Sequence, residues 1–185
     1  MIAVNVLIVL ITIGCMIAYS KRSPMPIVLR YFTPLSNILC ALSCALVAIF
    51  RMTGNVPQAV LLFKYAGTVS VTVTFMTCLL FLGPFVCGYK VLLTGPDLFM
   101  HLINPVLALV SYFAWDKPQA PFISVFLGVL PMLLYGLLYL SRVVFAREGT
   151  GWDDFYAFNR GGHWPLSFVM MTIGTFLISV ALWAI

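Results

Sequence analysis

Three residues of this apolar chain carry the side chains that acyl-transfer chemistry needs. Thr33 offers a hydroxyl nucleophile, His101 an imidazole, and Asp97 a carboxylate one helical turn before the histidine. A histidine beside a hydroxyl can take its proton during attack and later protonate the leaving group. A nearby carboxylate can fix the tautomer of the imidazole and stabilise its charged form. These residue types predict a nucleophile–base pair, Thr33 and His101, with Asp97 as its supporting group.

The chain that must position these residues is too apolar to be a soluble domain. Of its 185 residues, 63% are hydrophobic and 8% are charged, and the mean hydropathy is +1.09. A soluble domain carries about 25% charged residues, because these residues cover its surface. The composition therefore predicts an all-α, polytopic integral membrane protein.

Apolar runs of the length that crosses a bilayer recur along the chain. A helix needs about 20 apolar residues to span the hydrocarbon, and charged or turn residues separate runs of this kind. Nothing remains for a soluble domain. The predicted architecture is a single transmembrane domain over 1–185, a six-helix bundle with spans near 2–19, 31–50, 65–87, 98–115, 122–145 and 164–184.

The basic residues of the loops predict the orientation of the bundle. The odd-numbered loops hold Lys21, Arg22, Arg30, Lys90, Arg142, Arg147 and Arg160, and the even-numbered loops hold Arg51, Lys64 and Lys117. Because cytoplasmic loops carry an excess of Lys and Arg, we expect the odd loops in the cytoplasm and both termini outside. In a bacterium the membrane would be the cell inner membrane. Basic residues that follow the first apolar run favour an uncleaved span over a signal peptide.

Polar residues within the predicted spans recur at helical spacing, which indicates the faces that turn toward the bundle interior. Small, weakly polar residues also allow close helix packing, which is the alternative interpretation of the Ser, Thr and Cys positions. Thr33 and His101 lie at matched depth on the same side, roughly 5–6 Å inside their helix starts. The faces comprise Thr33, Asn37, Cys40 and Cys44 in span two, Ser70, Thr74 and Thr77 in span three, and Asp97, His101, Asn104, Ala108 and Ser111 in span four.

Two of the candidate residues also have structural interpretations. Thr33 precedes a proline at a helix start, the usual pairing of an N-cap hydroxyl with proline at the first helical position. Asp97 in a first turn can offset the helix dipole. The distance between the Thr33 hydroxyl and the His101 ring would distinguish capping from catalysis. If the pair is catalytic, Asn37, Asn104 or Thr74 could donate hydrogen bonds to a developing oxyanion.

The longest polar stretch, 147–163, precedes the last span on the same side as Thr33 and His101. It combines aromatic and acidic residues with Tyr156, Arg160 and His163. It can be interpreted as a lid or headgroup-contacting loop over an intramembrane site, or as an interfacial aromatic belt. His163 is more typical of an interfacial residue than of a ligand.

Three short motifs resemble a known family. The segment 30–37 (RYFTPLSN) resembles the "YFT..SN" start of the second span in small bacterial six-span membrane proteins. The segment 97–107 resembles the "H...P.L" motif of their fourth span, and the segment 152–158 resembles the aromatic "W.YPF" motif that precedes their last span. In the same order, these motifs resemble the androgen-induced-gene family of integral membrane threonine hydrolases, which act on fatty acid esters of hydroxy fatty acids. The resemblance implies that Thr33 is the nucleophile and His101 its catalytic histidine.

The leading expectation is an intramembrane lipid ester hydrolase with a membrane lipid as substrate. The substrate would enter sideways from the bilayer into a pocket among spans two, three, four and six. We expect no cofactor, no metal, no nucleic acid and no obligate protein partner. Two alternatives remain open. A non-enzymatic lipid-binding or transport protein would keep the same polar faces, and a haem- or quinone-binding protein could use His101 and His163 as ligands.

Overall fold

The computed structural model describes residues 2–147 and 149–185, and every regular element within them is helical. Six helices are long and apolar enough to cross a membrane. They are α1 (Ile2–Ser20), α2 (Phe32–Met52), α3 (Gln58–Cys87), α4 (Pro96–Asp116), α5 (Phe122–Val143) and α6 (Trp164–Ala184). This confirms the predicted all-α, polytopic six-helix bundle of an integral membrane protein.

The largest difference from the predicted spans is at the start of α3. The helix begins at Gln58, directly after Pro57, and not near 65. A lysine at position 64 favours a span boundary when only the sequence is read. Its side chain is fully buried, however, and its Nζ donates a 2.8 Å hydrogen bond to Asn5 Oδ1. Because a partnered charge can lie inside a span, the helix continues through Lys64.

Helix α3 is the centre of the bundle and packs against α2, α4, α5 and α6. It approaches α2 closely at Gly67, where an added Cβ would lie 2.8 Å from Ser43 Oγ and 2.9 Å from Cys40 Cα. Helices α1 and α6 are outermost, with 22% and 17% of their spans buried, compared with 61% for α2. A glycine at position 67 therefore allows α2 and α3 to pack closely along this seam.

Helix α4 changes its winding where its polar groups lie. Its segments 99–103 and 112–116 are π-helical, and the stretch between them is α-helical. Pro105 has no N–H to donate to the carbonyl of His101, and the N–H of Asn104 bonds to the carbonyl five residues back. Because a π-helical turn shifts the angular position of the side chains around it, it changes where His101 points.

The predicted inward faces of α2 and α4 are confirmed. Asp97, at the end of the α4 face, is half-buried. Residues of both faces are buried: Thr33, Asn37, Cys40 and Cys44 on α2, and His101, Asn104, Ala108 and Ser111 on α4.

Candidate active site

The hydroxyl of Thr33 lies against the imidazole of His101. Thr33 Oγ1 lies 3.1 Å from His101 Nε2, and both residues are buried. Helix α2 begins at Phe32, so Thr33 lies within its first turn. Tyr31 occupies the N-cap, with no side-chain capping bond. The Thr33 hydroxyl is therefore directed at the histidine and does not cap its own helix.

The hydrogen bonds of the other ring nitrogen fix the tautomer of His101. Its Nδ1 lies 3.0 Å from the backbone oxygen of Leu92 and 3.0 Å from that of Asp97. Because a carbonyl oxygen can only accept, Nδ1 must carry the ring proton. Nε2 then presents its lone pair to Thr33, whose hydroxyl donates to it. This is the tautomer that a general base for Thr33 requires.

The Asp97 carboxylate makes no hydrogen bond to the His101 ring, so it does not fix the tautomer as the sequence predicts. The backbone carbonyl of Asp97 accepts from Nδ1 of His101, while its carboxylate accepts a 2.6 Å hydrogen bond from the hydroxyl of Tyr19. The imidazole is therefore oriented by backbone oxygens, and the carboxylate joins α4 to α1.

The last loop places Tyr156 against the pair. Its hydroxyl accepts a 2.9 Å hydrogen bond from the N–H of Phe32, and Tyr156 lines the same cavity walls as Thr33. Burial raises the pKa of Tyr156 to about 12, so the phenol keeps its proton at neutral pH. A neutral O–H beside the nucleophile is a suitable donor for an oxyanion.

Asp154 anchors this loop, a role that the sequence reading missed. Its Oδ1 accepts hydrogen bonds from the Tyr139 hydroxyl at 2.9 Å and the Phe158 N–H at 2.8 Å, and its Oδ2 accepts one from the Asn159 N–H at 2.8 Å. Aspartates commonly bond to backbone N–H groups a few residues later in turns, and this tendency was the available signal. The turn also holds Ala157 at φ +53°. Asp154 therefore holds Tyr156 in place.

Two cavities meet at Thr33. The first, called the polar cavity, has a volume of about 380 Å³ and is bordered by His101, Asp97, Tyr19 and Arg22. The second, called the apolar cavity, has a volume of about 420 Å³. Both volumes fall in the range of roughly 300–1,000 Å³ that is typical of small-molecule sites.

The walls of the two cavities come from different helices. The polar cavity lies among α1, α2, the end of α3 and the start of α4, and the apolar cavity lies among α2, α3, α5 and α6. The expected single pocket among spans two, three, four and six is therefore divided, and α1 and α5 contribute as well. The residues that border both cavities are Thr33, Leu82 and Tyr156.

No family model, curated protein or solved structure matches this chain at a significant level. Among residues 2–147 and 149–185, no group of three or more His, Cys, Asp or Glu side chains could hold a metal ion. The geometry of the site is therefore what indicates its chemistry.

Asn37 and Asn104 lie one turn deeper than the pair and use their amide groups on each other and on the backbone. Asn104 Nδ2 donates to Asn37 Oδ1 and to Thr12 Oγ1, each at 3.0 Å. Asn37 Nδ2 donates to the carbonyls of Thr33, at 2.9 Å, and Met100, at 3.1 Å. They border neither of the two cavities. These amides join α1, α2 and α4 beneath the site and leave no donor for an oxyanion.

The other predicted residues lie apart from the pair. Thr74 borders the apolar cavity, and its hydroxyl is 2.8 Å from Ser36 Oγ. Arg160 and His163 are exposed on the last loop and border neither cavity. Because both ring nitrogens of His101 already have partners, the geometry does not favour shared ligation of a haem by His101 and His163.

A second buried polar cluster lies at the other end of the bundle, and we call it the Lys64–Asp116 cluster. Asp116 Oδ2 accepts hydrogen bonds from Asn5 Nδ2 and Ser111 Oγ, each at 2.9 Å, and Oδ1 lies 3.2 Å from Arg51 Nη2. Asn5 Oδ1 in turn accepts from Lys64 Nζ. These five residues border neither the polar nor the apolar cavity.

Proposed function

We propose that the protein is an intramembrane lipid ester hydrolase with Thr33 as nucleophile and His101 as general base. The observation that carries this proposal is the 3.1 Å contact between Thr33 Oγ1 and His101 Nε2, in the tautomer that accepts the hydroxyl proton. A threonine or histidine that only packs the bundle needs neither this tautomer nor two adjoining cavities. The three short motifs that resemble the threonine hydrolases name the same two residues.

In the first half-reaction, Thr33 Oγ1 forms a bond to the carbonyl carbon of the ester while its proton passes to His101 Nε2. The electron pair of the carbonyl moves to its oxygen, which the Tyr156 hydroxyl is placed to stabilise. When the tetrahedral intermediate collapses, the bond to the alcohol oxygen breaks. His101 gives its proton to that oxygen, the alcohol departs, and the acyl group remains on Thr33.

In the second half-reaction, water attacks the acyl carbon and gives a proton to His101 Nε2. Collapse breaks the bond to Thr33 Oγ1, and the proton on His101 returns to this oxygen. The fatty acid is released and the hydroxyl is restored. The sum is ester plus water giving acid plus alcohol, with no other reactant.

The substrate class follows from the setting of the site. A nucleophile buried in a bundle of apolar helices, beside an apolar cavity, suits an ester with a long acyl chain that dissolves in the bilayer. Fatty acid esters of hydroxy fatty acids belong to this class and are the substrates that the family resemblance implies.

The test is hydrolysis of a panel of lipid esters by purified protein in nanodiscs. Thr33→Val keeps the shape of the side chain without its hydroxyl, and we expect no turnover above background. For His101→Gln we expect a fall of about 10²–10⁴-fold, the usual contribution of a general base. Thr172→Ala, which removes a hydroxyl bonded only to its own helix at the Phe168 carbonyl, is the matched control and should retain activity.

The same preparation separates the competing functions. An acyl group trapped on Thr33 by denaturant quenching and mass spectrometry supports the hydrolase, and turnover by Thr33→Val overturns it. Lipid binding with no turnover and no acylated peptide assigns a binding or transport protein. A Soret band in the purified protein assigns a haem protein.

A further inference from the structure

We propose that the two cavities hold different halves of the ester, with the acyl chain in the apolar cavity and the alcohol in the polar cavity. This assignment rests on the proposed hydrolase function. It fixes the direction in which the ester lies across Thr33.

Proton transfer to the leaving group determines the direction. His101 must reach the alcohol oxygen with Nε2 when that oxygen departs, within about 3 Å. His101 borders the polar cavity and not the apolar one. The alcohol oxygen must therefore lie toward the polar cavity. Because the acyl chain extends from the opposite side of the carbonyl carbon, it must then enter the apolar cavity.

The chemistry of the walls agrees with this direction. The apolar cavity is bordered by three methionines, Met132, Met170 and Met171, which are flexible and adapt to chains of different shape. The wall of the polar cavity is mostly apolar, but it also includes Arg22 and Tyr19, which suit an alcohol fragment with a polar end, such as the carboxylate of a hydroxy fatty acid. The apolar cavity has no charged residue in its wall, so only the polar cavity offers such a partner.

The apolar cavity also has an opening on the lipid-facing surface. Three of its wall residues are exposed apolar side chains: Phe81 of α3 is 43% exposed, and Leu166 and Met170 of α6 are each 62% exposed. A chain that enters between α3 and α6 therefore remains in contact with apolar groups from the bilayer to Thr33. Arg22, an exposed wall residue of the polar cavity, follows the last turn of α1.

The carbonyl of the ester belongs where the cavities join. Thr33 and Tyr156 border both, so the reacting carbon would lie against Thr33 Oγ1 and the carbonyl oxygen against the Tyr156 hydroxyl. A single orientation thus satisfies the nucleophile, the oxyanion donor and the acid that protonates the alcohol.

The experiment crosses two cavity-filling variants with two series of esters, one varying the acyl chain and one varying the alcohol. Ser167→Trp fills the apolar cavity, and its control is Val169→Trp on the same helix, 50% exposed and bordering neither cavity. Ile27→Trp fills the polar cavity, and its control is Leu29→Trp, which is 38% exposed and borders neither cavity.

We expect Ser167→Trp to lower kcat/KM for long-acyl esters about tenfold or more relative to short-acyl esters of the same alcohol, since a filled pocket rejects extra methylenes. Its preference among alcohols should not change. Ile27→Trp should show the reverse, with selectivity changed among alcohols and not among acyl chains. Both controls should keep the wild-type preferences. If Ser167→Trp does not fold, the smaller change Ser167→Leu should shift the acyl preference in the same direction.

The opposite crossing, in which Ser167→Trp alters alcohol preference and Ile27→Trp alters acyl preference, overturns the assignment. Uniform loss with no change in either preference overturns it too. These outcomes leave the hydrolase proposal standing, because that proposal fails only if Thr33→Val still turns over.

Discussion

The two ends of the bundle both bury polar residues, but the surroundings of these residues differ. In the Lys64–Asp116 cluster, both oxygens of Asp116 are occupied by partners, and Lys64 Nζ donates to Asn5. At the other end, the pair formed by Thr33 and His101 faces two cavities large enough for a ligand. At one end the polar groups hydrogen-bond to one another, and at the other end they line cavities.

Comparison of the two ends shows that a polar residue within a span is not by itself evidence of catalysis. Lys64 and Asp116 are fully buried and ionisable. Because ionisable residues are rare within spans and usually functional, these two residues would be stronger candidates for a functional role than Thr33 if rarity were the only criterion. A buried charge whose partners satisfy it can join helices and do nothing else. The cavities beside Thr33 are the feature that distinguishes a candidate reactive site from a structural cluster.

The largest effect is expected from removal of the anion of the Lys64–Asp116 cluster, which tests whether this cluster is structural. Asp116→Ala leaves Arg51, Asn5 and Ser111 without the carboxylate that they contact and removes the only acidic group of the cluster that holds Lys64, so we expect it to lower the free energy of unfolding by about 3–5 kcal/mol. The double variant Asp116→Leu with Lys64→Met, which removes the buried cation as well, should recover part of that loss. Thermal unfolding in detergent measures both. Unchanged stability together with reduced hydrolysis would place the cluster in the reaction.

A second change tests the donor at the other end. Tyr156→Phe removes one hydroxyl and keeps the ring, and we expect kcat to fall about 10²-fold with little change in KM, as for a lost oxyanion donor. The control is Tyr112→Phe, whose hydroxyl donates to the Leu182 carbonyl at 3.2 Å, which borders neither cavity and which should retain most activity. Equal losses in the two variants would show that the Tyr156 hydroxyl has no special role in the reaction.

A third change tests the close packing of α2 against α3. At Gly67, an added Cβ would lie 2.9 Å from the Cys40 backbone, so Gly67→Ala should cost about 1–3 kcal/mol of stability. Gly174→Ala on α6 is the matched control, because no heavy atom lies within 4 Å of its added Cβ. That control should be neutral or stabilising by up to about 1 kcal/mol, since alanine favours helices. Denaturation curves that do not separate the two variants would contradict the close approach of α2 and α3.

The smallest effect is expected from Asp97→Asn. The backbone carbonyls of Leu92 and Asp97 hold the tautomer of His101, and an asparagine can still accept from the Tyr19 hydroxyl. We therefore expect kcat/KM to fall less than about tenfold, which corresponds to about 1.4 kcal/mol. A loss as large as that of His101→Gln would give the carboxylate the role of a third triad member.

The sequence predicts the fold well because hydrophobic length and turn residues are local signals. Five of the six span starts lie within two residues of the helices in the structure. The exception is α3, where the charge of Lys64 indicates a boundary and its buried partners, distant in sequence, remove the reason for one. Local pattern cannot show whether a charged residue has a partner.

The candidate site is only partly predictable from the sequence for the same reason. The depths of Thr33 and His101 follow from counting residues along two helices. The hydrogen bond between Tyr156 and Phe32 joins residues 124 positions apart, and no periodicity brings them together. The π-helical turn at 99–103 is likewise a feature that the apolar pattern of the sequence does not predict.

The distance along the chain between Phe32 and Tyr156 also sets an order in biosynthesis. A nascent chain that has inserted only α1 to α4 already contains Thr33 and His101. It lacks the α5 and α6 walls of the apolar cavity, and Tyr156 is added 124 residues after Phe32. The nucleophile and base are thus made early and the parts that enclose them late, so the complete site exists only after α6 has left the ribosome.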